Sequence, residues 1–205
     1  MKYFPFVFHP VILVGGGLLL LIHTEWRRQD AGRDHLRKRL GVFAIVGILS
    51  VLPAAAYMLV TGQGPMETMQ GNVWQVDAIV ASGLAVVAGA MWVVWTRYEW
   101  GHIVPRSAVA LAAVTVPYLG LSPFWNVSGH VILAVVSTLS LVLVKRRFWP
   151  LLVVPAVMVV NRPYVDAHTW GQSIGALLIA TAIVVAVFRL WPDVAETSPP
   201  TANLG

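Results

Sequence analysis

The chain contains no cysteine. That excludes disulfides, thiolate metal sites and a cysteine nucleophile. Charge is scarce as well. Charged residues make up 11% of the 205 positions, well below the roughly 25% of soluble domains. Hydrophobic residues reach 58%. A water-soluble fold of this length cannot hide so much apolar surface, whereas a bilayer can leave it exposed, because lipid is as apolar as leucine. No small-residue cleavage site follows the first apolar run; the charged stretch His23-Thr-Glu-Trp-Arg-Arg ends it, so the run reads as a retained helix and not as a cleaved signal.

What is present is a series of apolar runs that are candidates to cross a bilayer, which takes about 20 residues. They lie at about 6–24, 41–60, 76–96, 107–123, 129–144, 149–162 and 171–191. The expected fold is therefore all-α: a polytopic transmembrane helix bundle of about seven spans over residues 1–192, with 193–205 as a disordered tail. The fifth and sixth runs are short. Only Lys145, Arg146 and Arg147 and then Phe148-Trp149-Pro150 separate them, which predicts a tight turn, antiparallel neighbours and Pro150 in the first turn of the sixth helix.

The net charge of +5 is placed in short loops, which speaks for membrane orientation and against nucleic-acid binding. Arg27, Arg28, Arg33, Arg37, Lys38 and Arg39 fall in one loop, Arg97 and Arg106 in another, Lys145 to Arg147 in a third, and Arg189 at the last helix end. With seven spans these are on one face, leaving Lys2 and Arg162 on the other. The bias predicts a multi-pass protein of the cytoplasmic membrane, N-terminus outside and C-terminus in the cytoplasm. Tryptophans near the span ends, Trp26, Trp74, Trp95, Trp100, Trp125, Trp149, Trp170 and Trp191, read as aromatic belts. Gly15, Gly16 and Gly17 read as close packing points.

One group of polar residues collects at the predicted outer face. Ser128, Gly129 and His130 open the fifth helix, Arg162 closes the sixth, Asp166 and His168 lie in the next link, and Gln172 is in the first turn of the seventh. A helix starting at Ser128-Gly129 offers backbone N–H groups and the positive end of its dipole to an anion. Arg162 brings a planar fork suited to phosphate. Two histidines can divide nucleophile and general acid between them. His9 lies near the start of the first helix on the same side. Glu67 and Asp77 read as solvated there, and His23, His35 and His102 lie with the arginines, near anionic headgroups.

These residues resemble two motifs of the type 2 phosphatidic acid phosphatase family, which shares its helical core with vanadium haloperoxidases. The family's Pro-Ser-Gly-His is matched by Val127-Ser128-Gly129-His130. Its Ser-Arg, five residues, His, three residues, Asp is matched by Asn161-Arg162, His168 and Gln172, followed by Ser173-Ile-Gly175-Ala. The resemblance covers roughly 122–190 within a core of about 107–191. It implies that His168 attacks phosphorus and carries a phosphohistidine, and that His130 protonates the leaving oxygen. Arg162 with Ser128 and Gly129 would hold phosphoryl oxygens, Gln172 or Asp166 would orient the nucleophile, and no metal or other cofactor is called for. The motif set is degenerate: Val114 to Trp125 carries none of the basic residues of the family's first motif, and Gln172 stands for an aspartate.

The expected function is thus a membrane phosphatase acting on a lipid phosphate or prenyl diphosphate at the outer leaflet. One alternative is a catalytically impaired relative, binding lipid or serving as a subunit of an oligomer or membrane complex. A haem or metal protein ligated by His130 and His168, with or without His9, is a third reading.

Overall fold

The computed structural model describes residues 4–64 and 74–191. The expectations for Lys2, for Glu67 and for the 193–205 tail lie outside the described residues. Among the described residues, a short helical segment, Phe4–Val7, is followed by seven helices: α1 Pro10–Arg28, α2 Arg33–Thr61, α3 Trp74–Arg97, α4 Ile103–Leu121, α5 Gly129–Val144, α6 Val153–Tyr164 and α7 Trp170–Leu190. A 3-10 helix, Arg146–Leu152, joins α5 to α6. Among the described residues there is no strand.

Among the described residues four helices, α2, α3, α4 and α7, are long and apolar enough to cross a membrane. They mark a membrane protein. The other three depart from that pattern for separate reasons. The last turns of α1 carry Glu25, Arg27 and Arg28. Helix α5 is apolar but has 16 residues, which at 1.5 Å per residue span about 24 Å against a hydrocarbon core of about 30 Å. Helix α6 has 12 residues, about 18 Å by the same rise.

Three expected boundaries need correction. The stretch from Arg33 to Leu40 is helical and forms the start of α2, so most of the basic segment is part of a helix, with only 29–32 as a break. Hydropathy marks where a helix enters lipid, not where it starts. The sixth run begins as a 3-10 helix holding Pro150, and the α-helix starts only at Val153. Asp77 belongs to the first turn of α3 and is not a solvated loop residue.

Helix α5 is the centre of the bundle. It packs on α1, α4, α6 and α7, and its run Val131 to Thr138 is buried throughout. The α3–α4 pair forms a second, closely packed unit, with α2 laid against α3. On α2 only Arg39 and Val46 are buried, and Ile45, Ile48, Leu52, Leu59 and Val60 are exposed. Glycine sets the separation at two crossings. A Cβ on Gly17 of α1 would lie 3.2 Å from Ser137 Cβ of α5, and one on Gly83 of α3 would lie 2.5 Å from the Ser50 carbonyl oxygen of α2. Gly16 faces open space and Gly15 makes ordinary contact with Phe43, so one glycine of the triplet does the packing.

Contacts between helix ends define two poles. At one, Glu25 of α1 meets Trp95 of α3 and the first residues of α4, Arg28 meets the end of α5, and Arg106 of α4 lies over Phe188 of α7. At the other, Tyr118 of α4 and Ser122, which caps its end, meet Asp77 of α3, and His9 meets His130.

Candidate functional site

The second pole holds the polar group singled out above. Helix α6 ends in a turn that fixes the link to α7. Asp166 adopts φ 55°, and its N–H donates to the Pro163 carbonyl while that of Ala167 donates to the Arg162 carbonyl, both at 3.1 Å. This is the left-handed helix stop that aspartate and asparagine tolerate better than most residues. Thr169 then caps α7: its hydroxyl accepts from Gln172 N at 3.2 Å, and the Gln172 side chain accepts from Thr169 N at 2.8 Å. Thr169-Trp-Gly-Gln172 is a capping box. Between these two fixed points sits His168.

The His168 Nδ1 lies 3.0 Å from the Asn126 carbonyl oxygen. A carbonyl can only accept, so Nδ1 carries the hydrogen, and the neutral ring keeps its lone pair on Nε2. The orienting partner of Nδ1 is thus a backbone carbonyl of the α4–α5 link. An orienting role was expected from Gln172 or Asp166. The Gln172 side chain caps α7 and also reaches the His168 ring; Asp166 shapes the turn. Burial, and next the Arg162 charge, hold His168 below the ordinary histidine value of 6.5, with the Asn126 carbonyl, Asp77 and Gln172 acting the other way. His168 is therefore a neutral imidazole near pH 7. It opens on a cavity of about 550 Å³ whose wall includes Asn126, Asp166, Trp170 and Gln172.

His130 and Arg162 stand beside this cavity without lining it. His130, in the first turn of α5, is within electrostatic reach of Arg162, His9 and His168. Its ring meets that of His9 edge-on, with centroids 6.0 Å apart. His9 is the N-cap of α1, its Nδ1 accepting from Val11 N at 3.3 Å. Arg162 lies in the last turn of α6, with its Nε buried and unpartnered. Ser128 is the N-cap of α5 without making a side-chain cap bond; its hydroxyl is fully buried and has no partner. Buried donors without acceptors are costly, and two of them flank the start of α5. Among the described residues no group of three or more His, Cys, Asp or Glu is placed to hold a metal ion.

Sequence reasoning passed over three participants. Tyr118 places its hydroxyl against the start of α5, where a Cβ on Gly129 would lie 2.7 Å from it. The same hydroxyl donates to Asp77 at 2.5 Å, and the Ser122 hydroxyl donates to the other carboxylate oxygen. Asn126 acts through its backbone. Trp125, read as a belt residue, packs its ring over Gly175 of α7 so closely that a Cβ there would collide with it. That contact pins the link carrying Asn126 to the helix that follows His168. Comparison with protein-family models, curated proteins and solved structures finds no match to this chain.

Proposed function

We propose that this protein is a membrane phosphohydrolase that cleaves a lipid phosphate or prenyl diphosphate through a phosphohistidine on His168. The observation that carries the reading is the Nδ1–H bond from His168 to the Asn126 carbonyl, which leaves Nε2 as the nucleophilic nitrogen beside a cavity. Nε2 attacks phosphorus, the bond from phosphorus to the lipid oxygen breaks, and His130 relays to that oxygen the proton carried by the substrate's phosphate. Water then attacks the phosphohistidine, and its proton passes through His130 to the released phosphate. Arg162 and the Ser128 and Gly129 end of α5 neutralise the phosphoryl oxygens. The proposal includes seven spans, with the His168 pole outside and the arginine-rich pole in the cytoplasm, as the loop charges favour. The short α5 and α6 then need thinned lipid or shielding by their neighbours.

His168→Ala is expected to abolish phosphate release from phosphatidic acid and from a prenyl diphosphate in mixed micelles, and vanadate is expected to inhibit the parent. Hydrolysis by the variant at the parent rate overturns the reading.

A second reading has an observation of its own. Where the family resemblance calls for basic residues before α5, the chain presents Tyr118 and the Asp77 carboxylate. A negative charge there opposes a phosphate dianion and fits a lipid-binding relative without turnover. Saturable lipid binding with no phosphate release over a broad ester panel selects it.

A further inference from the structure

At the pole opposite His168, the last turns of α1 and the junction after α5 enclose a cavity of about 500 Å³. Its wall is His23, Thr24, Arg27, Arg28, Lys145 and Arg147, with no carboxylate among them. The C-termini of α1 and α5 both end here, and the negative ends of their dipoles attract cations. That attraction accounts for Arg28, whose guanidinium donates to the Val144 carbonyl at 2.7 Å and ties the two helices together. It does not account for the rest. Arg27 and Arg147 lie beside the rings of Trp26 and Phe148, at 6.0 and 5.1 Å from the centroids. Among the described residues the one carboxylate ion pair, Arg37 with Asp34, lies on α2 and away from this wall. Like charges gathered around a hollow without a counter-charge repel one another, unless an anion enters.

The donor set says which anion. Guanidinium forks match the oxygens of phosphate in pairs, and the Lys145 ammonium adds single donors. We propose that this cavity binds a phosphate group, that of an acidic phospholipid from the adjoining leaflet. The proposal is independent of what happens at His168.

The test uses the full chain in detergent, titrated with dihexanoyl phosphatidylglycerol, dihexanoyl phosphatidylcholine and inorganic phosphate, and follows bound ligand and unfolding temperature. The phosphatidylglycerol is expected to bind saturably and to raise the unfolding temperature, with the phosphatidylcholine far weaker. Each surface arginine facing an acidic lipid contributes about fivefold in affinity, so the R27Q/R147Q double variant is expected to bind roughly 25-fold more weakly. Arg28 is kept because it holds α5. Both substituted side chains are exposed, and unchanged circular dichroism of the variant checks that it folds. Competition by inorganic phosphate assigns recognition to the phosphate alone, and lack of competition assigns it to the lipid as a whole; both agree with the proposal. Absence of saturable binding by the parent, or equal affinity in the double variant, overturns it.

Discussion

At His168 a single hydrogen bond decides which nitrogen can act, and its surroundings decide the pH at which it acts. Burial and the Arg162 charge lower its titration below 6.5. The unfolded chain therefore binds a proton that the folded one resists. The resulting stabilisation is fully present above about 6.5 and is lost as pH falls from there toward the lowered folded value. Histidine-selective NMR is expected to find this ring titrating below 6.5. Arg162→Gln removes the second cause but not the first, so it should move the titration upward without restoring the ordinary value. A parent ring titrating at or above 6.5 contradicts the burial argument. Gly129 sets up a second residue-scale test. A Cβ there must displace the Tyr118 hydroxyl and so break its bond to Asp77. Gly129→Ala is expected to cost about 1–3 kcal/mol, the usual range for overpacking. Tyr118→Phe, which removes the nearest colliding atom, should make the double variant less destabilised than the sum of the two single changes. Thermal unfolding of the four proteins measures this coupling. His130, Arg162 and His168 were legible in the sequence because polar residues at the ends of apolar runs stand out. Tyr118 was not, since a tyrosine at a span end reads as interfacial, and Asn126 was not, since a backbone carbonyl leaves no trace in a sequence.

Between elements, the strongest polar tie is Glu25. It is 2% exposed, and its carboxylate accepts from Trp95 Nε1 at 2.8 Å, from Ile103 N at 2.5 Å and from Val104 N at 3.4 Å. A side chain from α1 thus caps α4 and holds α3, serving N–H groups that α4 itself leaves without acceptors. Arg39 and Gln29 bond to each other alongside, Gln29 donates to the Trp100 carbonyl at 2.9 Å, and Gly101 takes φ 119° where a side chain would run into the Glu25 carboxylate. Glu25→Ala orphans buried donors at about 1–3 kcal/mol each, whereas Glu25→Gln keeps one acceptor oxygen. The alanine variant should therefore unfold at a lower temperature than the glutamine variant, and equal values would mean that the carboxylate is not the cap. None of this was visible in the chain, where Glu25 sits among arginines and reads as loop. Helix cores at 76–96, 129–144 and 171–191 were readable from hydropathy alone. The extension of α2 to Arg33 and the 3-10 start of the sixth run were not, because both lie where packing and capping, not apolarity, choose the backbone.

Across the whole molecule, the packing turns an even spacing of apolar runs into a hierarchy: a buried, short α5, a closely crossed α3–α4 pair, and an α2 with an apolar outer face. Charge is sorted along the same axis. Glu25, Arg28 and Arg106 engage one pole through the contacts that knit it, while Arg162 stands at the other beside two histidines. The absence of cysteine makes the orientation of this axis directly measurable, since any introduced thiol is the sole target for a maleimide. Phe124, 90% exposed in the link between α4 and α5, marks the His168 pole; Arg146, exposed at the start of the 3-10 helix, marks the arginine-rich pole. In intact cells a membrane-impermeant maleimide is expected to label Phe124→Cys and not Arg146→Cys, with both labelled after lysis. The reverse pattern would put the His168 cavity on the cytoplasmic side and exclude substrates of the outer leaflet. Labelling of both in intact cells would break the link between helix polarity and membrane crossing, because the two positions lie at opposite ends of α5, and α5 would then not span.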